Sequence, residues 1–291
     1  MTIAAHCVAD AIYFGEGPRW HNGRLWFSDF YAHQVKSLDA KGHVRTELSL
    51  DDQPSGLGWL PDGRLIVVAM ANLKVMRLDA DGLHIHADLS HIAKHRANDM
   101  VVDAHGRAYV GNFGFDLDAD IHQRGIQAVL EAHPSTALAR VDSDGSVHVA
   151  ASGLHFPNGM AITPEGRTLI VAETLSACLT AFDMDAQGHL TNRRVWASLP
   201  ARAPDGICLD ADGNVWVADA LAPECVLVAQ GGAELARIET GDHCYACMLG
   251  GDDGRTLYMM TAPSSNAAIA AQTPKGRVLA ANVRSGRSGW P

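Results

Sequence analysis

Glu16, Asn98, Asn158 and Asp205 each stand a fixed distance ahead of a polar turn that ends in glycine. Eight residues back from Gly63, Gly106, Gly166, Gly213 and Gly254 lie Ser55, Asn98, Asn158, Asp205 and Ala246; seven back from Gly23 lies Glu16. Two carboxylates and two carboxamides at one repeated position form a set of hard oxygen donors. Carboxylates brought together repel one another unless a cation neutralises them. An all-oxygen shell suits Ca²⁺, Mg²⁺ or Mn²⁺, and mixed oxygen ligation does not exclude Zn²⁺ or Fe²⁺. Singly, each residue also fits a strand-mouth turn, since Asn-Gly and Asp-Gly are common turn dipeptides. Their shared phase favours one metal site, with Glu16 and Asp205 cancelling the charge and the amide oxygens of Asn98 and Asn158 completing the shell.

That phase comes from an internal repeat. PDGRLIVVA (61–69) recurs as HNGRLWFSD (21–29), AHGRAYVGN (104–112), PEGRTLIVAE (164–173), ADGNVWVAD (211–219) and DDGRTLYMMT (252–261). Each copy is a polar turn followed by a β-branched or aromatic run, the pattern of a hairpin entering a strand. The turn glycines follow at intervals of 40, 43, 60, 47 and 41 residues. A period near 40 with strands on both sides of a tight turn predicts a four-stranded blade. Six copies predict an all-β, six-bladed β-propeller occupying residues 1–291 as a single domain. The innermost strand of each blade lines the channel, so equivalent positions converge near the axis. EGPRW, SGLGW, NDMVV, NGMAI, DGICL and ACML are the expected inner strands.

The one long interval holds an insertion over residues 113–135, expected on one rim, where loops build substrate walls. The run HADLSHIAKHRAND has helical character and places His91 and His95 four apart. With no carboxylate at motif spacing, they are read as solvated histidines rather than a zinc pair.

Composition narrows the partners. The 291 residues are 47% apolar and 19% charged, with a net charge of -10. An acidic surface disfavours nucleic acid and anionic membrane as partners. The N-terminal stretch lacks a basic region, and nowhere do 18 apolar residues run together. The expected location is the cytoplasm. Six cysteines are scattered, and Cys244 and Cys247 form C-x-x-C in a stretch that reads as a strand. Positions three apart on a strand face opposite ways, so reduced core cysteines are expected.

EGPRW, the RAND of RANDM, FPNGM and APDGICLDADGNVWVAD together resemble the regucalcin/gluconolactonase family, also called the senescence-marker-protein family. The resemblance runs from Glu16 to about Ala262. It implies a six-bladed propeller with one catalytic divalent ion and, most often, lactone hydrolysis. It further implies Glu16, Asn158 and Asp205 as direct metal ligands. Asn98 would reach the ion directly or through water and touch substrate, and Arg96 would hold substrate oxygens. Asp116 falls where sugar-lactone members place an acidic residue on substrate hydroxyls. Phe113 and Phe115 around it are more apolar than a sugar site needs.

The expected chemistry is metal-assisted lactone opening, with Asp205 as general base on the attacking water and Arg96 on the developing oxyanion. No G-x-S-x-G is present. An organophosphate or aryl ester on the same site remains an alternative, as does a non-catalytic calcium-binding or ligand-binding propeller. Ser55 and Ala246 are too short or apolar to close a ring of ligands, which favours an ion left open to substrate. Oligomeric state is not legible in the sequence.

Overall fold

The computed structural model describes residues 3–291. Six four-stranded antiparallel sheets form the blades of a six-bladed β-propeller. The inner strands are Gly15–His21, Pro54–Trp59, Ala97–Val102, Pro157–Ile162, Pro204–Leu209 and His243–Gly250. All six are the segments expected from the repeat. The last blade is composite: the N-terminal strand His6–Ile12 pairs with Gly276–Asn282 at its outer edge. Pairing the two ends of the chain in one sheet removes the open edge and closes the ring.

Each repeated turn is a short hairpin of one design. In the third blade Asp103 N–H donates to the Arg107 carbonyl and Gly106 N–H to the Asp103 carbonyl, both at 3.0 Å. The Asp103 side chain accepts two more backbone N–H groups, from His105 and Arg107. All six turn glycines lie at φ between +69° and +87°, the left-handed region that a side chain resists. Behind the turns, aliphatic and aromatic residues pack between neighbouring blades, with Phe27, Leu57, Met100, Leu138, Val217 and Met259 fully buried.

The inner strands come unusually close at the axis. A Cβ at Gly159 would sit 2.5 Å from the Asp205 carbonyl oxygen, and one at Gly206 would sit 2.6 Å from Ala246. Glycine after Asn158 and after Asp205 therefore permits close approach of the next blade; neither Asn-Gly nor Asp-Gly makes a turn here.

The insertion folds into two helices, α1 (Leu117–Arg124) and α2 (Ile126–Glu131), between the second and third strands of the third blade. Arg124 joins them: it pairs with Asp120 one turn back and donates to the Ala132 carbonyl at 2.9 Å. The run around His91 and His95 is a turn after Gly82–Asp88 rather than a helix, and His95 itself sits at φ +65°. The short strand pairing through His86 and Ala87 holds that segment extended, overriding its local helical preference.

Candidate active site

In all six blades the pairing of the inner strand with its neighbour shifts register near the strand's start. The breaks fall between Glu16 and Arg19, Pro54 and Leu57, Ala97 and Met100, Pro157 and Met160, Pro204 and Ile207, and Cys244 and Ala246. Ser55, Asn98, Asn158 and Asp205 lie inside these irregular segments and Glu16 at the edge of one. A bulge re-aims side chains, and here it does so at the mouth of the channel.

Glu16, Asn98, Asn158 and Asp205 all line one cavity of about 520 Å³, and each is 6% exposed or less. Asn158 is steered by Thr174, whose hydroxyl accepts from the amide nitrogen at 3.2 Å and donates to the Pro204 carbonyl at 2.8 Å. Ser55 donates to the Asn98 amide oxygen at 3.3 Å. One Glu16 oxygen accepts the Gly17 N–H at 3.2 Å. Asp205 Oδ1 is buried and has no hydrogen-bond partner.

The electrostatics are strained in one direction. Burial, then Asp205 and Asp99, push the Glu16 carboxyl well above the usual range. Burial, then Asp99, push Asp205 up as well, with hydrogen bonding from Asn158 opposing. Asp99 is itself raised by burial and opposed by Arg19, whose guanidinium lies 2.7 Å away in a pair almost wholly out of water. Arg19 also donates to the carbonyls of Leu57, Pro18 and Met100.

Neighbouring polar residues show the contrast. Asp29, Asn112, Glu173 and Asp219 end the second strands of four blades. They accept backbone N–H groups of Phe14, Lys94, His155 and Ala203 respectively, each just ahead of an inner strand. In the second blade Asp52 plays this part toward Ala71 and Asn72. These groups are committed to holding the rim. Sequence reasoning does not single them out, although each of the four ends a repeat copy and so carries a signal. A buried carboxylate oxygen left unpartnered beside a second buried carboxyl has the character of a cation site. The donors there are all oxygen, which fits a hard divalent ion.

The other expected site residues divide. Arg96 lines the cavity and is oriented by the Gln53 carboxamide at 2.7 Å. Asp116 does not line it: the carboxylate caps α1 by accepting the Ala119 N–H at 3.0 Å and lies 3.7 Å from His95. The helix claims Asp116, because an aspartate ahead of a first turn satisfies otherwise unpaired N–H groups. Two residues on, Asp118 lines the cavity instead. His95 also lines the cavity, whereas His91 is exposed and stands outside it.

Two clusters lie apart from this site. Asp79, Asp81 and His84 gather on the outer strands of the second blade, where Arg64 and Arg77 occupy the Asp79 carboxylate. Cys244 and Cys247 do not face opposite ways. The register shift after Cys244 offsets the strand alternation, and both thiols join Cys208 and Cys225 in one buried cluster. Cys208 and Cys247 place their sulfurs 3.9 Å apart, and all six cysteines are free. Among the described residues no helix is long and apolar enough to cross a membrane.

The family model described as SMP-30/Gluconolactonase/LRE-like region matches residues 14–263. The chain is 25% identical to the regucalcin of Gallus gallus over 270 residues, which is 90% of this chain and 87% of that protein. It is 26% identical to a pentonolactonase of Haloferax volcanii over 268 residues, 90% of this chain and 86% of the other. Among solved structures, a luciferin-regenerating enzyme superposes with a TM-score of 0.80 at 19% identity, over 99% of this chain and 98% of the other.

Proposed function

The chain belongs to the SMP-30/gluconolactonase/LRE-like family, and from that premise we propose that it hydrolyses lactones, with one divalent cation at the channel mouth. Glu16, Asn158 and Asp205 would hold the ion, with Asn98 beside it. The unpartnered, buried Asp205 Oδ1 next to the buried Glu16 carboxyl is the observation that carries this reading. The pentonolactonase relative supports the reaction type. Such an ion supplies Lewis acidity toward the ring carbonyl and lowers the pKa of nearby water.

The chain's own groups supply the rest. Asp205 takes the proton of the attacking water, its carboxylate being ionised whenever the charge of the site is balanced. Asn158, fixed by Thr174, and Asn98, held by Ser55, set the donor positions around the substrate carbonyl. Arg96, pre-oriented by Gln53, donates to the oxygen on which negative charge develops. Water adds to the carbonyl carbon, the ring C–O bond breaks, and the proton passes to the departing alkoxide to give a hydroxy acid.

The test is a lactone panel on metal-stripped protein, reloaded with Ca²⁺, Mg²⁺, Mn²⁺, Zn²⁺ or Fe²⁺ singly. Turnover that returns with one ion and is absent in Glu16→Gln supports the proposal. Undiminished turnover after complete stripping, or in that variant, refutes the metal's part in it.

A further inference from the structure

The walls above the candidate ligands are mostly carbon. Phe113 and Phe156 meet with ring centroids 4.3 Å apart, and Phe14 packs between Phe30 and Tyr245 at 5.3 and 4.7 Å; all five rings line the cavity. The insertion adds Leu117, Ile121, Ile126 and Leu130 to the same lining.

The polar groups on these walls are already spent on the protein. Tyr31 donates its hydroxyl to the Ser265 carbonyl at 2.8 Å. Arg202 lies 3.1 Å from Glu224 and 2.7 Å from Glu234. Thr174 is committed to Asn158 and Pro204, and Asp116 is turned away to cap α1. Asp118 is the carboxylate the helices add, and it is exposed.

Three large apolar side chains on the lining are left open to solvent: Leu221 at 55%, Ile126 at 44% and Leu130 at 40%. Carbon left wet around a concave site gains free energy when a carbon surface covers it. A polyhydroxylated ring would instead strip water from hydroxyls that find few partners here. The volume, about 520 Å³, also holds far more than a bare lactone ring.

We propose that the substrate is a lactone bearing an extended apolar substituent, with its ring carbonyl among Glu16, Asn98, Asn158 and Asp205 and its tail against α1, α2 and Leu221. The inference rests on the lactonase reading above and names the substrate class of that same site.

The experiment compares kcat/KM on metal-reconstituted protein for γ-lactones of increasing alkyl length, dihydrocoumarin and glucono-δ-lactone. The expected result is a rise of about fourfold per added methylene over the first few, with the longer alkyl lactones and dihydrocoumarin exceeding the sugar lactone. Leu221→Asn and Leu130→Asn, at exposed positions that tolerate polar side chains, should flatten the dependence on chain length. A flat series, or glucono-δ-lactone turned over faster than every apolar lactone, overturns the substrate class and leaves the lactonase reading standing. No turnover of any lactone with any ion overturns both. An unchanged chain-length dependence in both variants overturns the placement of the tail.

Discussion

The two ends of the channel hold cavities of nearly equal volume, about 520 Å³ at the starts of the inner strands and about 530 Å³ at their far ends. Size does not distinguish them, and chemistry does. The same strand Gly15–His21 sends Glu16 to one end and Arg19, Trp20 and His21 to the other. At the first end, buried carboxyls are left short of partners. At the second, His21 stacks on Trp59 with centroids 3.8 Å apart, and Arg287 donates to the Trp20 carbonyl. Trp290 there exchanges backbone hydrogen bonds with Ile162 at 2.7 and 2.9 Å. One end is sealed by the chain's own tail and its polar groups are met, whereas the other keeps unmet acceptors under an apolar roof. The lesson is that an unsatisfied site costs stability and persists where something else is to be bound.

The sharpest way to break this contrast is Asp205→Asn. Removing the candidate base and half the carboxylate charge should lower kcat by about 10²- to 10⁴-fold, while Arg287→Ala at the opposite end leaves kcat within about twofold of the parent, the scatter of a surface change. Steady-state assays on both variants decide it, and equal losses would erase the functional difference between the ends.

Arg19 spans the comparison, since it lines the far cavity while neutralising Asp99 beneath the ligands. Arg19→Met leaves a buried carboxylate unpaired and should cost about 3–5 kcal/mol of unfolding free energy, read by denaturant titration. A loss under about 1 kcal/mol, as for an exposed pair, would show that the Asp99 charge is balanced by other means.

Thr174→Val removes the group that steers Asn158. Ion affinity should fall by about 10- to 100-fold, measured by calorimetric titration, with the fold retained by circular dichroism.

Chelation should then change a slope. Without a cation Glu16 and Asp205 are raised, so the folded chain binds more protons than the unfolded one. Their stabilisation is complete below the ordinary carboxylate range and is lost as pH rises through the raised values. Metal-loaded protein should lack that loss, so melting curves with chelator and with ion diverge as pH rises from the carboxylate range. Parallel curves would count against ion binding at this pair.

The smallest effect is expected at the sealed end. His21→Ala should lower stability by about 0.5–1.5 kcal/mol through the lost stack, with lactone turnover unchanged.

Much of this arrangement is legible in the sequence. The repeat around Gly63 and Gly213 marks six hairpins, because a left-handed turn position admits few residues besides glycine. Counting in phase from those glycines leads to Glu16, Asn98, Asn158 and Asp205, which share one cavity. Asp116 escapes this reasoning because spacing from a motif cannot tell a cap from a wall; the choice depends on where α1 begins. Asp29 and Glu173 escape it although the repeat exposes them, since nothing local says whether an acidic side chain accepts N–H groups or faces a ligand.

By itself, the sequence determined the number of blades, the inner strands and the oxygen donors, all properties of local periodicity and side-chain chemistry. The tertiary structure alone decided which carboxylates are satisfied, where the insertion's apolar face lies, and that Arg19 pairs with Asp99, 80 positions away. Burial and partnership are set by distant segments meeting across the ring. Those meetings shift pKa values and leave Asp205 Oδ1 without a partner.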